Sequence, residues 1–124
     1  MLRIKRDLIC PIRLKDMSSQ IATAAQIATG VYWRAGGFDT IISSCNDGVH
    51  MTGSKHYQGR AIDLSIKDVP HDDRFDIFTS LCMALGNAPP GDDVFTSRGL
   101  DFDVLWEYRG TAKEHLHCEY DPKP

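Results

Sequence analysis

Two stretches hold most of the side chains able to do chemistry. Residues 54–63 read Ser-Lys-His-Tyr-Gln-Gly-Arg-Ala-Ile-Asp, and residues 114–117 read Glu-His-Leu-His. The imidazoles of His56 and His117 and the carboxylate of Asp63 make a nitrogen and oxygen donor set suited to tetrahedral Zn2+, with the fourth position left for water. A similar set holds ferrous iron, so ligand type alone does not fix the metal. Zinc lowers the pKa of bound water to about 7 and supplies hydroxide at neutral pH. A nearby carboxylate must then accept the water proton and later pass it to a leaving amine.

Glu114, three residues before His117, is the first candidate for that base. In a regular strand an odd separation would point the two side chains to opposite faces. Glu114 can therefore serve only from a turn before the strand begins, and Glu107 and Glu119 are the fallbacks. His115 shares a strand face with His117 and can donate to an oxyanion formed at an attacked carbonyl. Ser54 can bind substrate or support a ligand. His56 and Asp63 are seven residues apart, a spacing a helix would also satisfy. Gly59 between them disfavours helix, and a loop running into a strand brings both side chains to one point.

Each residue also has a plain structural reading. A lone His beside Gly and Tyr is usually a loop residue, an Asp after Ala-Ile is often merely exposed, and a His-x-His pair is as often surface as site. Glu114 reads most simply as a solvated turn residue. His50 and His71 are taken as structural, Arg34, Arg60 and Arg98 as surface or ion-pairing residues, and the acidic pairs at 72–73 and 92–93 as solvated charge.

The elements that must position these groups are legible from periodicity. The 124 residues, 42% hydrophobic and 25% charged, suit one domain spanning 1–124. A short strand or irregular lead-in covers 2–9. Ser18 or Ser19 caps a helix over 19–34, with Ile21, Ala24, Ala25, Ala28 and Tyr32 on one face, and Gly36-Gly37 ends it. A strand runs through 40–42, a turn-rich loop through 45–55 and a second strand through 60–66. Pro70 opens a second helix, carried by Phe75, Phe78, Leu81, Cys82 and Leu85 and stopped near Gly86. Val94-Phe95 and 104–106 are strand candidates, 108–113 turns, and 115–120 is the last strand. The tail 121–124 is expected to fray. This order predicts an α+β fold with two main helices on a small, mostly antiparallel sheet.

Bulk properties narrow the partners. A net charge of −3 gives no electrostatic case for nucleic acid or an anionic membrane surface. No apolar run reaches the ~18 residues of a membrane span. The basic N-terminus is followed by no apolar signal region, so the chain is expected to be made in a cytoplasm without a signal peptide. Cys10, Cys45, Cys82 and Cys118 form no Cys-x-x-Cys pair and are read as reduced thiols. Cys118 should face away from His117.

Ser54-x-His56-x-x-Gly59-x-Ala61-x-Asp63, followed by Glu114-x-x-His117 within Glu-His-Leu-His, resembles the D-alanyl-D-alanine carboxypeptidase family of zinc metallopeptidases. That family shares its fold with the Hedgehog signalling domain. The closing segments 101–107 and 115–122 look like those of short, phage-type members, and the resemblance covers about 38–122. It implies zinc held by His56, Asp63 and His117, with Glu114 as base. It implies a substrate in bacterial peptidoglycan: stem or cross-bridge peptides, cut by D,D-carboxypeptidase or L-alanyl-D-glutamate endopeptidase action. Many members polarise the substrate carbonyl with an upstream Arg. The matching segment here, Ile-Ser-Ser-Cys-Asn-Asp, has none, so Ser44 and Asn46, or His115, would take that part. The resemblance implies action on the cell wall, as a phage lysin or as a component beside other phage virion proteins. The alternative is a module of the same fold that keeps zinc without catalysis.

Overall fold

The computed structural model describes residues 2–4, 18–44 and 60–124. His56, Ser54 and Asn46 lie outside the described residues, as do His50, Cys10 and Cys45. Among the described residues the elements are β1 (Leu2–Ile4), α1 (Ser19–Gly36), β2 (Thr40–Ser44), β3 (Ala61–Ser65), α2 (His71–Ala84), β4 (Thr96–Arg98), β5 (Phe102–Glu107) and β6 (His115–Tyr120). They form an α+β fold with one sheet in the order β1-β2-β3-β6-β5-β4. The β1–β2 pair is parallel, and the other four pairs are antiparallel.

Helix α1 starts where the sequence supplies a cap: the Ser18 hydroxyl accepts from the Ile21 N–H at 3.1 Å. It ends at Gly37, whose φ of 74° closes the last turn in the left-handed region open to glycine. Helix α2 begins directly after Pro70 and carries Asp72 and Asp73 in its first turn, where the helix dipole favours acids. Its buried residues are Ile77, Phe78, Leu81 and Cys82, so Phe75 sits at the edge of the buried stripe and Ile77 at its centre. No helix among the described residues is long and apolar enough to cross a membrane.

Both helices pack on one side of the sheet. Ile21, Ala28 and Tyr32 of α1 and Phe78 and Leu81 of α2 share a core with Ile42, Ile62, Leu64, Val104, Leu116 and Cys118 from the strands. The Tyr32 hydroxyl, at the centre of that core, donates to the Ser65 carbonyl at 3.0 Å and ties α1 to β3. Burying each large side chain contributes about 1.5–3 kcal/mol. That energy fixes the register. A one-residue slip of β3 or β6 would turn Ile62, Leu64, Leu116 and Cys118 out of the core and their polar neighbours into it. The apolar face thus dictates which residues stand together on the other face.

Two expectations need correction. The strand after α2 is Thr96–Arg98, not Val94-Phe95. Asp93 turns the chain with a φ of 59°, and regular pairing begins only after Phe95, whose carbonyl accepts from the Trp106 N–H at 2.8 Å. The C-terminal tail is pinned rather than frayed. The Lys123 N–H donates to the Leu100 carbonyl at 2.8 Å, and its ammonium lies 2.7 Å from the buried Asp103 carboxylate. A fully buried carboxylate requires cations, and the tail brings one.

Candidate functional site

The face of the sheet opposite the helices carries the polar members of β3, β5 and β6. Antiparallel pairing sets Asp63 opposite His117 and Ser65 opposite His115 across β3–β6. It also sets Leu105 opposite His117 and Glu107 opposite His115 across β5–β6. Facing residues stand about 4.5–5.5 Å apart at Cβ, so the side chains meet. His117 Nδ1 lies 2.9 Å from Asp63 Oδ1. His115 Nε2 lies 3.1 Å from Glu107 Oε1 and 3.6 Å from Asp63 Oδ1. Asp63, His115 and His117 are only 13–16% exposed at their side chains. Beside them the β2–β3 pairing shifts register between Ile42 and Ser44, and the Ser43 hydroxyl donates to the Asp63 carbonyl at 3.3 Å. Register shifts of this kind are frequent beside functional sites.

The protonation pattern of the two rings bears on what they can hold. The Lys113 carbonyl can only accept, so the His115 Nδ1 at 2.7 Å carries the proton. In the neutral ring the lone pair of His115 Nε2 then points at the carboxylates of Glu107 and Asp63. His117 is held between two carboxylates, Asp63 at Nδ1 and Glu119 at Nε2, the latter at 3.2 Å. Burial of the His117 ring disfavours its charged form. The hydrogen bond with Asp63 and the charges of Asp63, Glu107 and Glu119 outweigh that, and its pKa is raised. A lone pair facing carboxylates is satisfied by a cation between them, either a proton or a metal ion. Among the described residues, one ligand atom each from Asp63, Glu107 and His115 lies within 4.8 Å of the others. The donor set fits a divalent cation with nitrogen and oxygen ligands. Glu119 on the far nitrogen of His117 is the arrangement by which a carboxylate orients a ligating imidazole.

Glu114 lies in the turn before β6, the position its candidacy requires, with its N–H donating to the Thr111 carbonyl at 3.2 Å. Its side chain is 8% exposed and paired to Arg74 at 2.9 Å. The Trp106 indole N–H donates to the other carboxylate oxygen at 2.7 Å, and the Gly110 N–H approaches at 3.3 Å. Glu114, Asp63, Ser65 and His115 line one cavity of about 550 Å³ with Ile41 and Ser43. Lys67 and Lys113 line it as well. Tyr108, in the β5–β6 turn, has a φ of 55° and places its ring 5.8 Å from that of His115. A bulky residue in the left-handed region stores strain of about 1–3 kcal/mol, a cost common at functional sites.

The structure therefore brings together Asp63, His115 and His117 directly, with Glu114 on the same cavity. Ser44 pairs through its backbone with Asp63 at the end of β2. Glu107 and Glu119, fallbacks as bases, contact the two histidines. Arg74 and Trp106 were not singled out by sequence reasoning. A buried indole N–H seeks a partner, but nothing local says which carboxylate it will find. Cys118 faces the core beside Cys82, and burial pushes its thiol up to about 12, so it remains a protonated packing group. No protein-family model, curated protein or solved structure matches the chain.

Proposed function

We propose that the chain is a zinc-dependent peptidase of the D-alanyl-D-alanine carboxypeptidase type, hydrolysing amide bonds in bacterial peptidoglycan peptides. The observation that carries this reading is the meeting of Asp63 and His117 at 2.9 Å on the sheet face opposite the helices, with Asp63 lining a cavity shared with Glu114. The residues that would hold the metal are Asp63 and His117, with His56 from the motif at 54–63. Bound zinc would supply hydroxide at neutral pH and polarise the scissile carbonyl.

The remaining work falls to side chains of this chain. Glu114 accepts the proton of the attacking water and returns it to the departing amine. His115, with its Nδ1 proton fixed by the Lys113 carbonyl, presents Nε2 toward the cavity side of the sheet. When protonated there, it donates to the oxyanion. Glu119 holds the His117 ring in one orientation. Ser43 donates to the Asp63 carbonyl beside the register shift in β2, and a cavity of about 550 Å³ is within the usual size of a ligand site.

A second reading is a zinc-bearing module of the same fold without catalysis. The engagement of both Glu114 oxygens by Arg74, Trp106 and Gly110 favours it, because that pattern also describes a buried structural ion pair. Digestion of purified peptidoglycan, read by mass spectrometry of the fragments, separates the two. The peptidase reading predicts new amine and carboxyl ends that vanish on chelation and return with zinc. The fragment masses would name the bond. Stoichiometric zinc without any fragment, on walls of several chemotypes, would favour the structural module.

A further inference from the structure

Glu114 is the most constrained carboxylate on the cavity, and its constraints come from two separate elements. Arg74, in the first turn of α2, is itself fixed: its Nε donates to the Val69 carbonyl at 2.8 Å and Nη2 to the Lys67 carbonyl at 3.4 Å. That leaves Nη1 aimed at Glu114 Oε1 at 2.9 Å. Trp106, on β5, is wedged between Phe78 and Phe95, each with ring centroids 5.7 Å away, and its N–H reaches Glu114 Oε2 at 2.7 Å. Arg74 and Glu114 are 11% and 8% exposed at their side chains. A turn residue with a flexible side chain is thus held at both oxygens by donors that are themselves anchored.

Each carboxylate oxygen has two lone-pair sites. Trp106 occupies one on Oε2, which leaves that oxygen a second acceptor site. A base held in one place by rigid neighbours avoids the cost of orienting in the transition state, and small displacements of such a group are expensive in rate. We propose that Arg74 and Trp106 are positioning residues for the reaction. They hold the Glu114 carboxylate in one orientation at the cavity that it lines with Asp63 and His115. This rests on the peptidase reading above, in which Glu114 is the base.

The test uses the zinc-loaded full chain and a purified cross-linked muropeptide dimer with a pentapeptide acceptor stem, which contains every amide class that reading covers. Trp106→Phe removes one N–H and keeps the ring between Phe78 and Phe95. Arg74→Met removes the guanidinium, and Arg74→Lys returns a charge without the planar fork. Positioning predicts that Trp106→Phe and Arg74→Met each lower kcat about tenfold to a hundredfold. KM should stay within about twofold, the pattern for an interaction that matters in the transition state. Zinc content is unchanged, and Arg74→Lys recovers part of the rate. The double variant Trp106→Phe with Glu114→Gln should be no slower than Glu114→Gln alone. If Arg74→Met fails to fold, Trp106→Phe decides.

Wild-type kcat in Trp106→Phe, alongside an inactive Glu114→Gln, would overturn the inference and leave the peptidase reading intact. So would losses from Trp106→Phe and Glu114→Gln that multiply independently, because the indole would then act elsewhere. A wild-type chain that binds zinc but cuts no bond of the dimer would overturn both.

Discussion

Two acidic clusters stand on the same sheet face at opposite ends of the β5–β6 pair, and they are closed in different ways. In one, ligand atoms of Asp63, Glu107 and His115 lie within 4.8 Å of one another, and in the other those of Asp103, Glu119 and Asp121 do the same. At the second, Lys123 lies 2.7 Å from Asp103 and 3.5 Å from Asp121, and Arg98 lies 3.0 Å from Asp103. At the first, the carboxylates meet imidazoles. Lysine and arginine keep their charge at ordinary pH and do not give it up to a metal. A histidine exchanges its proton for a metal ion within the same geometry. Carboxylate count does not distinguish the two clusters; the exchangeability of the cation does. His117 links the two, with Nδ1 at 2.9 Å from Asp63 and Nε2 at 3.2 Å from Glu119.

That contrast can be broken at this link. Glu119→Gln should lower zinc affinity about 10–100-fold, the usual effect of losing the carboxylate behind a ligating imidazole, and competition with a chromogenic chelator would measure it. Unchanged affinity would mean that His117 needs no orienting partner. The second cluster should respond in stability alone. Asp103→Asn removes a fully buried carboxylate from two ion pairs and should cost about 1–3 kcal/mol in urea unfolding, with zinc binding preserved. A loss of zinc there would join the two clusters into one site.

The smallest expected effect is a pH dependence. In the metal-free chain the pKa of His117 is raised above the ordinary 6.5. Its contribution to stability is therefore complete below that ordinary value and declines as pH rises through the raised native one. Zinc affinity should run the other way and increase with pH as the competing proton leaves. Urea midpoints of metal-free Glu119→Gln and wild-type chains across that window would show a weaker decline in the variant, since one of the raising charges is gone.

Sequence carried the helices and the site's strands well, because both have a strong period. Ser18 as cap, the Ile21–Ala28–Tyr32 stripe and the alternation in β6 each report a local physical preference. The apolar alternation in β3 and β6 also carried the site, since burying Leu64 and Leu116 forces Asp63 and His117 to the opposite face. What was not legible is long-range. Arg74 finds Glu114 across forty positions, and Lys123 finds Asp103 across twenty. Neither pairing has a local signal. The same blindness made the tail look frayed and Val94-Phe95 look like a strand: their fates are decided by a buried carboxylate and by the turn at Asp93. Glu114 is the mixed case. Parity showed that it must sit before the strand, but not that an arginine and an indole would be waiting there.

The most direct measurement is calorimetric titration of the metal-free chain with Zn2+, comparing wild type, His117→Ala and Asp103→Asn. The account predicts one equivalent bound with proton release in the wild type, severe loss in His117→Ala, and near wild-type binding in Asp103→Asn. Binding that survives His117→Ala would contradict the account by removing His117 from the ligand set, and binding that disappears in Asp103→Asn would contradict the separation of the two clusters.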